Sequence, residues 1–289
     1  MNQAPMPGWA TEMLHSELRL SMRGNRLILA RRSALQEIGI FENRRFGRVL
    51  TLDGAVQLTE ADEFIYHEMF AHIPILAHGG VRRVLLIGGG DGGLAREVLR
   101  HRSVERVVLV EIDAAVLEVA RAELPAVSAG AFADPRLEVM VADGSAFLAT
   151  ATERFDLILV DAPDPVGPGT VLFSEAFHAL MARRLAPGGV VVAQSGMPFL
   201  QPDEIRDTTR SFRRLFSGIA CYLATVPSYS GGAIAFAWGD HGTAGGAASQ
   251  SLEQRFAAAA ISTRYYTPEV HRAAFVLPPC VEAMIRASA

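Results

Sequence analysis

The chain is short of cysteine, of net charge and of long apolar runs, and each shortage removes a class of protein. Its only cysteines, Cys221 and Cys280, are far apart and at no metal-ligand spacing. Neither a disulfide scaffold nor a cysteine-bound metal is expected, and both read as reduced thiols of a cytosolic protein. Basic and acidic residues number 27 and 31, which gives no bulk field to attract nucleic acid. No apolar stretch approaches the ~18 residues of a membrane span. The opening "MNQAPMPGWA" has no basic segment leading into an apolar one, as a secretory leader would. The expectation is a cytoplasmic protein with neither nucleic acid nor membrane as partner.

Half of the 289 residues are hydrophobic, enough for one large core or for a small domain joined to a larger one. Residues 1 to 60 carry short β-rich segments, "LQEIGIFEN", "FGRVLTLDG" and "AVQLTE", and Asp53-Gly54 is a hairpin signal. A small N-terminal antiparallel β domain is expected there. "EADEFIYHEMFAHIPILAHGG" reads as a helix that stops near Pro74. From residue 83 onward the continuous apolar runs "VLLIG", "VVLVE", "LEVMVAD", "FDLILVD" and "GVVVAQ" mark buried parallel strands, with helical stretches between most of them. Residues 61–289 are therefore expected to form an open α/β sheet. "IACYLATVP" and "GAIAFAW" should close it as a hairpin, and "GDHGTAGGAASQ" reads as a surface loop.

Ligands of open α/β sheets bind beyond the carboxyl ends of the strands, and acids gather there. Asp91 lies in the turn after the first parallel strand, "LLIGGGDGG". Glu111, Asp143 and Asp161 end later strands, and Asp164 follows Asp161. A single acid at a strand end is often a helix cap. Five around one crevice repel one another unless a cation arrives. Gly88, Gly90 and Gly93 do satisfy the dinucleotide pattern, with Glu111 placed to hold a ribose. Asp91, however, would face a pyrophosphate, at a cost of about 4 kcal/mol for unit charges ~4 Å apart at an effective dielectric of 20. An adenosyl-sulfonium ligand suits the turn better: Glu111 would take ribose hydroxyls, and Asp143 with Gly144 the adenine. Asp91 would meet the far end of the side chain, which carries an ammonium alone only when the cofactor is decarboxylated.

"HEMFAH" is a false metal signal. Three residues separate Glu68 from His72, and His67 and His72 stand about 140° apart on a helix. No metal site is expected. Glu60, Asp62, Glu63 and Glu68 read as capping or solvated acids, and His271 as structural.

The same stretches resemble the spermidine synthases, the polyamine aminopropyltransferases, and the bacterial branch above all. The resemblance runs through "FGRVLTLDGAVQLTEADEFIYHEM", "VLLIGGGDGG", "VEID", "DAPDPVGPG", "VVAQSG", "PSYSGG" and "YYTPEVHRAAFVLP", from about residue 35 to 280. It implies a methyltransferase-type Rossmann-like domain after the β domain, and assembly as a homodimer or homotetramer. The implied reaction moves an aminopropyl group from decarboxylated S-adenosylmethionine, a co-substrate, to putrescine; no cofactor is bound permanently. Spermidine and 5'-methylthioadenosine are the products. By matching position, Gln36, Glu111, Asp143, Gly144 and Pro168 line the methylthioadenosine part, while His67 and Asp91 contact the aminopropyl group or product. Asp161 is the catalytic acid-base residue, and Asp164 helps hold the diamine. Tyr66, Gln194 and Tyr229 line the acceptor pocket, with Trp9 near it. The family usually has small hydroxyl residues between the two aspartates; here Ala162-Pro163 removes a backbone donor and stiffens the loop. Two other readings share the scaffold: a methyltransferase acting on intact S-adenosylmethionine, and a polyamine-binding protein without catalysis.

Overall fold

A computed structural model describes residues 8–15, 17–162, 167–242 and 250–286. Six antiparallel strands come first. β1 (Trp9–His15) and β2 (Leu18–Arg23) form a hairpin, and β3 (Arg26–Arg32), β4 (Glu37–Asn43), β5 (Gly47–Leu52) and β6 (Ala55–Thr59) form a four-stranded meander. Asp53 and Gly54 join β5 to β6 with φ of 49° and 87°, the doubly left-handed turn that matches strand twist.

Helix α1 (Glu63–His78) leads into the larger sheet. It does not stop near Pro74, as its sequence suggested, but continues through that residue to Gly79, a left-handed cap with φ 75°. Pro74 is itself buried, and α1 is buried almost from end to end. Packing on every side holds the turn that a solvent-exposed proline would open.

Parallel strands then alternate with helices: β7 (Arg83–Gly88), α2 (Gly93–Leu99), β8 (Arg106–Glu111), α3 (Ala114–Glu123), α4 (Pro125–Ser128), β9 (Leu137–Val141), α5 (Gly144–Thr150), β10 (Phe155–Asp161), α6 (Glu175–Arg184) and β11 (Leu185–Gln194). Helix α7 (Pro202–Leu215) precedes the terminal hairpin of β12 (Gly218–Thr225) and β13 (Ala233–Asp240). The strand order is β12-β13-β11-β10-β7-β8-β9, with the hairpin antiparallel on an otherwise parallel sheet. This is a Rossmann-like, methyltransferase-type sheet beside a small β unit. Asp240 belongs to β13 rather than to a surface loop, and residues 243–249 of that expected loop lie outside the described residues. Helices α8 (Leu252–Ala259), α9 (Pro268–Ala274) and α10 (Pro279–Arg286) complete the chain. No helix among the described residues is long and apolar enough to cross a membrane.

The apolar runs are continuous because both faces of the sheet are covered. Leu86, Leu109, Leu159 and Val192 point into one core, and Leu85, Val108, Ile158 and Val191 into the other. Each such side chain contributes roughly 1.5–3 kcal/mol by leaving water. Chain order reverses at β7, which has β8 on one side and β10 on the other. That switch point is where an open α/β sheet makes its crevice. Gly88 and Asp161 are register partners there.

Candidate active site

Two cavities meet at the switch point. The larger, about 330 Å³, is lined by Gln36, Glu111, Ile112, Asp143, Gly144 and Leu172, among others. The smaller, about 110 Å³, is lined by Tyr66, His67, Asp91, Gln194 and Tyr229, with Glu12, Gln57 and Glu63. Asp161 lines both. The residues singled out from sequence thus divide into a nucleoside-sized chamber and an acid-lined chamber. Asp91 falls in the second, apart from Glu111 and Gln36. Asp164 lies outside the described residues, as do Pro163 and the side chain of Pro168. Ala162 is buried.

In the larger cavity each polar group is already oriented. Glu111 ends β8 and turns one oxygen back to the Asp113 backbone N–H at 2.9 Å. Burial raises its carboxyl to about 7, and Asp113, Asp161 and Asp91 add to the rise. Asp143 caps α5, accepting from the Ala146 N–H at 2.8 Å. Gln36 donates to Asp113 at 3.0 Å, and Ser33 donates to the same Asp113 oxygen at 2.7 Å. Asp113 also caps α3 through the Ala115 N–H. One buried aspartate therefore ties the N-terminal unit to the sheet and sets Gln36 against the cavity, a role its place in "VEID" did not disclose.

In the smaller cavity the acids crowd. Side-chain ligand atoms of His67, Asp91 and Asp161 lie within 4.8 Å of one another. Tyr66 donates its hydroxyl to Asp161 at 2.6 Å. Burial and the neighbouring Asp161 carboxylate hold that phenol well above its ordinary pKa, so it stays a donor. Burial, with Asp91 beside it, pushes Asp161 up to about 6; His67 and the Tyr66 bond work against the rise. Asp91 accepts from the Gly93 N–H at 2.7 Å, fixing it in its turn. Gln194, the last residue of β11, is buried with an Oε1 that has no partner among the described residues. Tyr229 donates to the Gln57 carbonyl at 2.9 Å. Of the trio, His67 turns Nδ1 to Glu63 and leaves Nε2 facing Asp91. What the three offer directly is a place for positive charge.

The glycines of "LLIGGGDGG" serve this crowding rather than a phosphate. A Cβ on Gly90 would stand 2.9 Å from a Glu111 carboxyl oxygen, and one on Gly89 3.1 Å from Asp161. Gly88, at φ +79°, would drive a Cβ into the Asp161 backbone carbonyl, which the β7–β10 ladder holds in place. Gly88→Ala should therefore cost at least about 3 kcal/mol, from strain and overpacking together. Thermal melting of the variant would check this, and an unchanged Tm would refute the close-approach account.

Glu12 was not found from sequence. It reaches the smaller cavity from β1, is buried, and accepts from the Val56 N–H at 2.9 Å and the Ser230 hydroxyl at 2.7 Å. The acids at the start of α1 are neither solvated nor capping. Asp62 holds the Ser228 N–H at 2.8 Å, Glu68 accepts from three consecutive N–H groups at Arg264, Tyr265 and Tyr266, and Glu63 is ion-paired. Trp9 is 62% exposed on β1 and lines neither cavity. His271 bonds the Tyr266 hydroxyl at 2.8 Å, away from both.

A model of the spermine/spermidine synthase domain matches residues 63–244, and one of the spermidine synthase tetramerisation domain matches residues 8–60. The chain belongs to the spermidine synthase family. A polyamine aminopropyltransferase of a Ruegeria species is 50% identical over 277 residues, covering 96% of this chain and 98% of that protein. Polyamine aminopropyltransferase 1 of Pseudomonas aeruginosa is 52% identical over 251 residues, covering 86% and 88%. Among solved structures, a spermidine synthase in complex with the transition-state analogue AdoDATO superposes with a TM-score of 0.92 at 36% identity, over 99% of this chain and 97% of that one. The spermidine synthase of Thermotoga maritima gives 0.87 at 34%, over 98% and 96%. This family member is thus a transferase, and the double cavity is the place to seek its two substrates.

Proposed function

We propose that the chain transfers the aminopropyl group of decarboxylated S-adenosylmethionine to putrescine, releasing spermidine and 5'-methylthioadenosine. The observation that carries this is the division of the crevice at Asp161 into a nucleoside-sized chamber and an acidic one. In this reading Gln36, Glu111, Asp143, Gly144 and Pro168 hold the adenosyl part. His67 and Asp91 face the aminopropyl ammonium. Tyr66, Gln194, Tyr229 and Asp164 hold the diamine, and the Gln194 Oε1, unpartnered among the described residues, supplies an acceptor for one of its N–H groups.

The sulfonium makes its neighbouring methylene electrophilic, so the chain's task is to present a neutral amine in line with it. An alkylammonium has a pKa near ~10 and an ordinary aspartate near ~4, a gap of roughly 8 kcal/mol. With Asp161 raised to about 6, the gap narrows to roughly 5 kcal/mol, and desolvating the ammonium narrows it further. Asp161 takes a proton from the bound ammonium, and the freed nitrogen lone pair attacks the methylene. The C–S bond breaks toward sulfur to leave a neutral thioether, and the new secondary amine carries the positive charge. Tyr66, bonded to that carboxylate, keeps it aimed, which turns an encounter into an oriented step.

Methylthioadenosine release tests the reading, with decarboxylated and intact S-adenosylmethionine offered separately beside putrescine. Release with the decarboxylated form alone is expected. Turnover of the intact form to its homocysteine product would make the chain a methyltransferase instead. Both Asp161 and Glu111 must be ionised to act, and both titrate high, near 6 and 7. The single-turnover rate should therefore climb between pH 6 and pH 8; a flat profile would count against Asp161 as the base.

The reading extends to the whole chain. We infer a division at about residue 60, with the N-terminal unit as assembly surface of a cytoplasmic homodimer or homotetramer. The tetramerisation-domain match and the exposed Trp9, Met13 and Leu27 on its strands support this.

A further inference from the structure

One buried ion pair in the wall of the acidic cavity has no part in the chemistry above. Glu63, in the first turn of α1, is gripped by Arg96 from α2, with Nη1 on Oε1 at 3.0 Å and Nη2 on Oε2 at 2.9 Å. Arg96 is anchored in turn to Glu97 and to the Val127 carbonyl. The remaining reach of Glu63 Oε2 goes to His67 Nδ1, one helical turn on, at 2.5 Å. On the far side of the ring, Nε2 stands 3.5 Å from Asp91.

The ring cannot swing away from this position. His67 is buried, its ring stands edge-to-face with that of Tyr66 at 5.4 Å between centroids, and Gly93 leaves the ring the space that a Cβ would fill. The charged groups facing it are Glu63 from its own helix, Asp91 from the glycine turn, Asp161 from the end of β10, and Arg96 from α2. Three carboxylates oppose one guanidinium, and that guanidinium is spent on Glu63.

We propose that Glu63, clamped by Arg96, is a positioning residue that holds His67 as an imidazolium facing Asp91 and Asp161, a resident cation in the place where the ligand's ammonium will act. The proposal rests on the reading of this cavity as an ammonium site. Burial opposes a charged ring, but Asp91 and the Glu63 bond outweigh it and raise His67 above 6.5. When the aminopropyl ammonium arrives beside Asp91, two cations share the same acids. His67 then releases its Nε2 proton to solvent, leaving the neutral ring with Nδ1–H still on Glu63. Binding of the cationic co-substrate is thereby coupled to proton release, and it tightens as pH rises through the His67 titration.

Histidine ring NMR of the free enzyme tests the first half. His67→Gln, which leaves the Glu63–Arg96 pair in place, identifies the signal among the eight histidines. A midpoint above 6.5 is expected in the wild type, lowered in Glu63→Gln by about 1–3 pH units, since the amide keeps the hydrogen bond and loses the charge. Calorimetry of decarboxylated S-adenosylmethionine binding in two buffers of different ionisation enthalpy tests the second half. Proton release is expected in the wild type near neutral pH and a smaller release in His67→Gln, where only Glu111 and Asp161 remain to give up protons; equal release in the two would overturn the proposal. A neutral ring in the free wild type, or equal midpoints in wild type and Glu63→Gln, would overturn the proposal. Should Glu63→Gln not fold, the wild-type midpoint and the His67→Gln calorimetry decide it. If His67 titrates as expected but the co-substrate binds at no pH, the proposed function fails and the positioning role stands.

Discussion

Asp161→Asn should lower aminopropyl transfer at pH 7 by about 10³-fold or more, within the range set by loss of a general base, while making the chain more stable. The two effects have one source. Asn is nearly isosteric, and its side-chain oxygen still accepts from the Tyr66 hydroxyl that now sits at 2.6 Å. What it lacks is a charge held in a place that disfavours charge. Because the folded carboxyl titrates near 6 rather than 3.8, the folded wild type binds this proton more tightly than the unfolded chain does. The wild type therefore loses stability as pH rises from about 4 through 6 and stays at that level above. The loss is roughly 2–3 kcal/mol at 1.36 kcal/mol per pH unit, at the low end because Asp161 keeps some access to solvent. Asn escapes it, so Tm of the variant should exceed that of the wild type at pH 8 and match it near pH 4. Activity should also recover part-way toward pH 10, where the diamine supplies its own neutral amine. Methylthioadenosine release and melting curves across pH check both halves. A variant that is inactive and also less stable at pH 8 would mean that Asp161 is chiefly structural.

How much of this was legible beforehand depended on whether a side chain's partner lay in its own strand-turn-helix unit. Glu111, Asp143 and Asp161 could be found because an apolar run ending in an acid fixes both strand and direction, and the sheet then gathers the ends. Asp91 could be found because a carboxylate within a glycine turn is out of place for a phosphate site. Helix α1 resisted. A helix buried all round has no polar face, so its periodicity did not say whether Glu63 and Glu68 met water or other chain. Both met other chain, through α2 and through the Tyr265 backbone. The same burial carried the helix past Pro74. Glu12 was invisible for a different reason: β1 reaches the cavity only through the packing of the N-terminal strands against the residue 226–232 turn, a contact of 218 residues' separation at Ser230.

On the proposed function, Asp91→Asn should erase most of the preference for the decarboxylated co-substrate. Asp91 sits between His67 and the glycine turn, its Oδ1 fixed by the Gly93 N–H, so it cannot turn aside from a ligand's carboxylate. For intact S-adenosylmethionine that carboxylate would meet a like charge, at about 4 kcal/mol for ~4 Å and an effective dielectric of 20. Neutralising Asp91 removes this term for the intact form and weakens the ammonium contact for the decarboxylated one. The affinity ratio should then contract by about 10²–10³-fold, at 1.4 kcal/mol per tenfold. The Asn side chain retains the acceptor that closes the turn, so the loop itself should persist. Direct binding measurements with both forms read the ratio without depending on turnover. The resident charge on His67 makes a further demand on the result. An imidazolium beside Asp91 offsets its charge at low pH and no longer does so once the ring is neutral. Wild-type discrimination should therefore widen from pH 6 to pH 8.5, and in Asp91→Asn it should be small at both. If the variant keeps the full preference, the carboxylate is excluded by lack of room rather than by charge. The search for selectivity would then move from Asp91 to the cavity wall formed by Gln57 and Leu58.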